Sequence, residues 1–180
     1  MIYTTKDLLL SGETEYSIRK KVSEGKIFLV ERGIYSSEER PFVDEAYLSK
    51  KYGEAILTGP SALYVYDLVD QIPDKFHFST LQHSFPIRRD DISQSYQDPS
   101  FFSVGKKSMK YGSGSINIYD LERTLIELIR LREKLPPELY YESIRSFRKI
   151  KEKLDFYKIN KYLKHFKNGE LLLQRIKEAV

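Results

Sequence analysis

The hydrophobic pattern of the first 40 residues predicts two short helices followed by a β-hairpin. The first helix covers residues 5–10, the second covers residues 15–24, and the hairpin covers residues 27–35. On the second helix, Ile18 and Val22 stand four residues apart and form one apolar stripe. Helix, glycine turn, helix and hairpin is the order of a winged helix-turn-helix.

A polar segment that ends in Pro41 follows this hairpin and predicts a domain boundary. We therefore expect a winged helix-turn-helix over 1–40 and a mixed α/β domain over 41–180. Strands are predicted at 76–79, 87–89, 101–104 and 116–119, and residues 55–58 are predicted to form either a buried strand or the end of a helix. Helices are predicted at 44–52, 61–66, 120–129, 154–166 and 170–179, with a further helix opening at Pro136-Pro137. The expected fold class is α/β, with helices gathered at the C-terminus.

The composition excludes several kinds of chemistry. The chain has 180 residues and no cysteine, which removes disulfides, thiol catalysis and thiolate metal sites together. Its three histidines lack metal-ligand spacing. The sequence shows neither an apolar run of membrane-spanning length nor a secretion signal at its start. These features predict a cytoplasmic protein with no metal and no cofactor.

The net charge of +4 is concentrated near the C-terminus. Residues 130–180 contain fourteen basic and seven acidic side chains, a net charge of +7. Arg145, Lys149 and Lys153 recur every four residues and would share one face if a single helix extended that far. This basic face either keeps the protein soluble or contacts nucleic acid or an acidic partner.

The second helix presents a polar face opposite its apolar stripe. At 100° per residue, Tyr16 and Lys20 point directly away from Ile18 and Val22. Hydroxyl groups mixed with cations suit the major groove of DNA, and a basic residue at the hairpin tip can reach a phosphate. The predicted DNA-binding residues are Thr14, Tyr16, Ser17, Arg19, Lys20 and Arg32. The alternative is a small helical module that packs against protein.

An enzymatic interpretation rests on few residues. Gly112-Ser113 followed by Asp120 and Glu122 resembles a nucleotidyltransferase pattern, but the gap is short and Asp120 is better explained as a helix cap. We therefore expect no enzyme. Arg123, in the first turn of an apolar helix, is expected to pair with a nearby carboxylate.

Longer blocks of sequence carry a family resemblance. The chain resembles the AbiEi antitoxin family in four blocks, in family order. They are residues 12–27 with 30–35, Leu57-Thr-Gly-Pro-Ser-Ala-Leu-Tyr64, Asp70-Gln-Ile-Pro73 and residues 118–125. The family usually has a further helix before the segment that starts here at Thr5. The resemblance implies an antitoxin of a bacterial type IV toxin–antitoxin system of the abortive infection kind. It implies binding to double-stranded operator DNA, repression of its own operon, and antagonism of a nucleotidyltransferase-like toxin without a stable complex. The alternative is a protein- or RNA-binding module that neutralises the toxin without binding DNA.

Overall fold

A computed structural model describes residues 1–41, 43–112 and 114–180. The chain divides into two compact units. The first comprises Met1–Glu54 and Ser108–Ile116, and the second comprises Ala55–Lys107 and Asn117–Val180. The mixed α/β class expected from the sequence is confirmed. The division between the units differs from the boundary expected after residue 40.

The first unit contains a three-stranded antiparallel sheet with strand order β1-β3-β2. Its elements are β1 Ile2–Thr4, α1 Thr5–Leu10, α2 Glu15–Ser23, β2 Phe28–Glu31, β3 Ile34–Ser36 and α3 Glu45–Lys51. Leu8, Ile18 and Ile27 are buried together, one from each of the segments that the sequence pattern made apolar. This small core fixes α1 and α2 against each other and against the hairpin.

Side chains tie α3 to the elements that precede the polar segment. Lys50 Nζ lies 2.8 Å from Asp7 Oδ2 on α1, and Lys51 Nζ lies 2.5 Å from Glu31 Oε2 at the end of β2. The hydroxyl of Tyr47 also donates to Glu31. These contacts explain why α3 belongs to the first unit although it follows the predicted boundary.

Five further strands form a sheet with strand order β6-β5-β4-β8-β7. The strands are β4 Ile56–Leu57, β5 Phe76–Leu81, β6 Ile92–Gln97, β7 Lys106–Tyr111 and β8 Gly114–Tyr119. Strand β4 pairs antiparallel with β5 and parallel with β8, and β5 pairs parallel with β6. Residues 108–116 of the β7–β8 pair group with the first unit.

The helices of the second unit enclose its main hydrophobic core. They are α4 Gly59–Val65, α5 Pro99–Phe102, α6 Leu121–Arg130, α7 Pro137–Lys149, α8 Phe156–Leu163 and α9 Gly169–Ala179. Leu125, Ile126, Phe147, Ile159 and Ile176 are fully excluded from solvent in this core. None of the helices in the described part of the chain combines the length and the apolar surface needed to cross a bilayer.

Two predicted strands were wrong. Residues 87–89 form no strand, and Phe101 and Phe102 lie in α5, because Asp98 accepts the Ser100 N–H at 2.8 Å and Pro99 occupies the first turn. Between β7 and β8, Gly112 is in a turn and Gly114 already belongs to β8, whereas Ser113 lies outside the described residues.

Candidate nucleic-acid interface

Two of the six predicted DNA-binding residues form the N-terminal cap of α2. Thr14 Oγ1 accepts the Ser17 N–H at 3.1 Å, and Ser17 Oγ accepts the Thr14 N–H at 2.8 Å. Ser17 also donates its hydroxyl to Glu13 Oε2 at 2.6 Å. These bonds satisfy two of the free N–H groups at the start of α2. Thr14 and Ser17 therefore set where the helix begins.

The other three predicted residues of α2 project from the protein. Tyr16 is 76% exposed, whereas Ile18, two positions later, is 2% exposed. The side chain of Arg19 is 82% exposed and that of Lys20 is 60% exposed. The helical periodicity thus predicted the buried and exposed faces of α2 correctly.

Each cation on this face has an acidic neighbour on the same helix. Arg19 Nη2 lies 3.5 Å from Glu15 Oε2, and Lys20 Nζ lies 3.9 Å from Glu24 Oε1. Both pairs are long and largely exposed, so each contributes little to stability. A phosphate that approached this face would displace the carboxylates at small cost.

Two further cations, Lys21 and Lys26, lie in or just after the C-terminal half of α2. Lys26 Nζ lies 2.8 Å from Glu24 Oε2, and its hydrogen bond and charge attraction to that carboxylate raise the pKa of Lys26. Lys21 pairs with Glu13, and hydrogen bonds from Lys21 and Ser17 lower the pKa of the Glu13 carboxyl. Lys26 was not among the predicted DNA-binding residues, although it belongs to the same local run of charges.

Arg32 occupies the turn between β2 and β3. The adjacent Gly33 has φ of +80°, a conformation that glycine adopts without steric cost and that makes the two-residue turn possible. Arg32 is exposed and has no ion-pair partner among residues 1–41, 43–112 and 114–180. Its guanidinium is therefore free to bind an anion.

The predicted basic face near the C-terminus does not lie on one helix. Helix α7 ends at Lys149, so Arg145 and Lys149 share it, whereas Lys153 lies in the following 3-10 turn Lys151–Lys153. All three cations nevertheless line one open groove of about 700 Å³. The groove also contains Asp67, Asp70 and Glu142, which reduces its positive potential.

Asp120 and Glu122, which resembled part of a nucleotidyltransferase pattern, are hydrogen-bonded to neighbouring groups of the protein. Asp120 caps α6 through the Arg123 N–H at 2.9 Å, as predicted, and its second oxygen accepts from Lys158 Nζ at 3.0 Å and from Tyr162 Oη at 2.8 Å. Glu122 accepts from the same Lys158 at 3.2 Å. Burial lowers the pKa of Lys158, but the two carboxylates outweigh it and raise that pKa overall. Burial together with the hydrogen bond to Asp120 raises the pKa of Tyr162 to about 12.

Within the described residues, no group of three His, Cys, Asp or Glu side chains is placed to hold a metal ion. Comparison of the chain with protein-family models gives no match, and comparison with curated proteins gives none.

Proposed function

We propose that this protein is a DNA-binding repressor of the AbiEi antitoxin kind. In this proposal α1, α2 and the β2–β3 hairpin form a winged helix-turn-helix, and α2 is the recognition helix. The observation that carries the proposal is the exposed face of α2, where Tyr16, Arg19 and Lys20 project opposite the buried Ile18. Aromatic, guanidinium and ammonium groups on one helix provide both base contacts and phosphate contacts.

The hairpin supports the same proposal. Arg32 at its turn is exposed, and an arginine at this position reaches a phosphate or an adjacent minor groove when α2 lies in the major groove. Helix α3 contributes side-chain contacts to α1 and β2 in this unit. We propose that α3 provides the support that the winged domain needs.

Fluorescence anisotropy with duplex DNA from upstream of the protein's own gene tests DNA binding. We expect replacement of Arg19 and Lys20 by alanine to weaken binding without lowering the melting temperature. If both are phosphate contacts, the slope of log K against log salt falls by about 0.9 for each. The control replaces Lys161 and Lys164 by alanine, since both are exposed and lie on a different unit. Unchanged affinity in the α2 variant would refute the assignment.

We further propose, from the family resemblance, that the protein opposes a nucleotidyltransferase-like toxin and that residues of the second unit carry this activity. Arg145, Lys149 and Lys153 are proposed as a secondary contact for DNA or for an acidic partner, since their groove holds three cations. Replacing Arg145, Lys149 and Lys153 by glutamate distinguishes a DNA contact from a contact with an acidic partner. Uniform loss of affinity for operator and random DNA indicates a DNA contact, and loss of toxin protection alone indicates a role in neutralisation.

A protein-binding role for the first unit remains the second candidate. Leu10 and Leu29 are 78% and 55% exposed, and exposed apolar side chains can contact a protein partner. Two measurements distinguish the functions: if the unit binds protein instead of DNA, Leu29→Ser loses toxin neutralisation and the wild-type protein shows no specific affinity for the operator duplex.

A further inference from the structure

An arginine-rich cleft in the second unit shares Arg145 with the groove described above but is otherwise lined by different residues. It has a volume of about 480 Å³ and is lined by residues of α6, α7 and α9 and of the turn after α6. This volume lies within the roughly 300–1,000 Å³ typical of ligand pockets. Its basic and aromatic lining groups are Arg132, Arg145, Arg148, Arg175, Tyr140 and Tyr141, and Glu178 is its acidic one.

The four guanidinium groups lack acidic partners. None of them forms an ion pair with any residue in the described ranges of the chain, although seven of the charged residues in 130–180 are acidic. Arg148 donates from Nε to the carbonyl of Ala179 at 2.6 Å, which orients its guanidinium but neutralises no charge. Glu178 also lines the cleft and accepts from Gln174 Nε2 at 2.9 Å. The cleft therefore has a marked excess of positive charge.

Aromatic rings lie beside these cations. The guanidinium carbon of Arg132 lies 5.2 Å from the centre of the Tyr140 ring, within cation–π range. Tyr141 meets Tyr140 edge to face, with 5.5 Å between ring centres. Tyr140 is buried, whereas Tyr141 is 55% exposed, so the Tyr141 ring has a surface available for stacking.

We propose that this cleft binds single-stranded nucleic acid. Arginine forks match the geometry of phosphate oxygens, and a tyrosine face beside them suits stacking of an unpaired base. The floor of the cleft includes Ile129 and Ile144, which also favours a base over a purely ionic ligand. A duplex keeps its bases stacked inside the helix, so it would engage the arginines but not Tyr141. The site is independent of the proposed operator contact on α2.

Fluorescence anisotropy tests the proposal with the full chain and a labelled oligothymidylate of about 12 nucleotides, within the site sizes typical of single-strand binders. The first variant carries Arg132→Gln and Arg175→Gln, which lie on different elements and are both exposed. We expect at least about a tenfold loss of affinity and a salt slope reduced by about 0.7 for each phosphate contact removed. The matched control carries Lys161→Gln and Lys164→Gln, the same charge change outside the cleft, and should lose much less.

A second pair of variants tests the stacking contact. Tyr141→Leu keeps apolar bulk but removes the ring, and should weaken oligothymidylate binding by at least about fivefold. Tyr141→Phe keeps the ring and should bind as the wild type does. Because Tyr141 is largely exposed, this comparison remains informative even if the arginine variant fails to fold.

Several results would overturn the proposal. One is an equal loss of oligothymidylate affinity in the arginine and lysine variants, and another is unchanged affinity in Tyr141→Leu. A third is equal competition by inorganic polyphosphate or polyglutamate, because that would indicate a general surface for anions or acidic proteins. Equal affinity for a duplex with the same dependence on Arg132 and Tyr141 would also contradict it. The α2 variant with Arg19→Ala and Lys20→Ala should bind the oligothymidylate normally. Loss of binding there would assign the single strand to α2 instead.

Discussion

Arg123 and Glu127, one turn apart on α6, form an ion pair that solvent does not reach. Arg123 Nε donates to Glu127 Oε1 at 2.9 Å, and the two side chains are 0% and 2% exposed. Arg123 Nη1 also donates to the carbonyls of Phe101 and Val104, at 2.7 and 2.9 Å. The pairing of Arg123 with a carboxylate, expected from the sequence, is confirmed. The Arg123 side chain thus connects α6 to the backbone of residues 101–104.

Replacing Arg123 by methionine should destabilise the second unit by about 3 kcal/mol, because it leaves Glu127 buried with one partner fewer. Arg130 Nη2 remains 2.5 Å from Glu127 Oε2, which holds the loss near the lower end of the usual range for a broken buried pair. The double variant Arg123→Met, Glu127→Leu should recover part of this loss. Urea unfolding followed by circular dichroism measures both, and a loss below about 1 kcal/mol for the single variant would contradict the argument.

The packing around Arg123 also gives a prediction for Gly105. Its φ is +76°, and a Cβ at this position would lie 2.6 Å from the Cβ of Arg123. Gly105→Ala should therefore cost about 3 kcal/mol, from backbone strain and from overpacking together. Gly25→Ala is the matched control, since Gly25 has φ of +69° with nothing within 4 Å of the added Cβ. It should cost only about 1 kcal/mol. Equal losses in thermal unfolding would show that the close approach to Arg123 is unimportant.

Much of the first unit follows from local sequence signals. Thr4 and Thr14 each accept a backbone N–H at the start of α1 and α2, and threonine at a helix start is a signal that a sequence shows directly. Helical periodicity then predicted which side chains of α2 are exposed. The role of α3 was not predictable, since its contacts to Asp7 and Glu31 join residues far apart in the chain.

The errors in the second unit have physical causes. Strand β6 was missed because it is an edge strand of the described sheet and because Ser93, Gln94 and Ser95 leave it without an alternation of apolar and polar residues. The apolar pair Phe101-Phe102 suggested a strand, although the cap at Asp98 was a signal for a helix. The arginine-rich cleft had no local signal, because its residues come from three helices and a turn.

The stability of the first unit should fall in acid through Asp7. Burial opposes ionisation of this carboxyl, but Lys50 and the N–H and hydroxyl of Thr4 outweigh it and lower the pKa of Asp7 below its ordinary value of 3.8. A carboxyl with a lowered folded pKa contributes fully above its unfolded pKa and loses that contribution as the pH falls through and below it. The effect should be about 1 kcal/mol, the usual value of a helix cap, since the side chain is one third exposed.

Thermal unfolding between about pH 5 and pH 2.5 measures this contribution. Asp7→Asn should lower stability at pH 5 and remove most of the dependence on pH that Asp7 causes. Glu39→Gln is the control, because Glu39 is an exposed carboxylate in the same unit. A wild-type profile that Asp7→Asn leaves unchanged would argue against the role of Asp7.

The two activities in the proposed function should separate by point substitution. A truncation near Pro41 would detach α3 from Asp7 and Glu31, so it would disturb the fold as well as remove α2. The full chain with Arg19→Ala and Lys20→Ala avoids this problem. We expect it to lose repression of a reporter carrying its upstream DNA while still rescuing growth from the toxin. Loss of both activities in a protein with unchanged melting temperature would contradict this division.

Glu15 provides the most direct test of α2, because its substitution should move affinity and stability in opposite directions. Its carboxylate is 75% exposed and lies 3.5 Å from the Arg19 guanidinium. Glu15→Gln removes a negative charge that repels DNA and leaves Arg19 free for a phosphate. We expect operator affinity to rise roughly two- to fivefold, as exposed ion pairs are worth up to about 1 kcal/mol. Stability should fall by about 0.5 kcal/mol, because an acidic residue in the first turn of a helix interacts favourably with the helix dipole.

Glu39→Gln makes the same charge change away from α2 and should alter affinity much less. Anisotropy titrations and melting curves on the same three proteins decide the matter: if Glu15→Gln binds no better than Glu39→Gln, α2 does not face DNA.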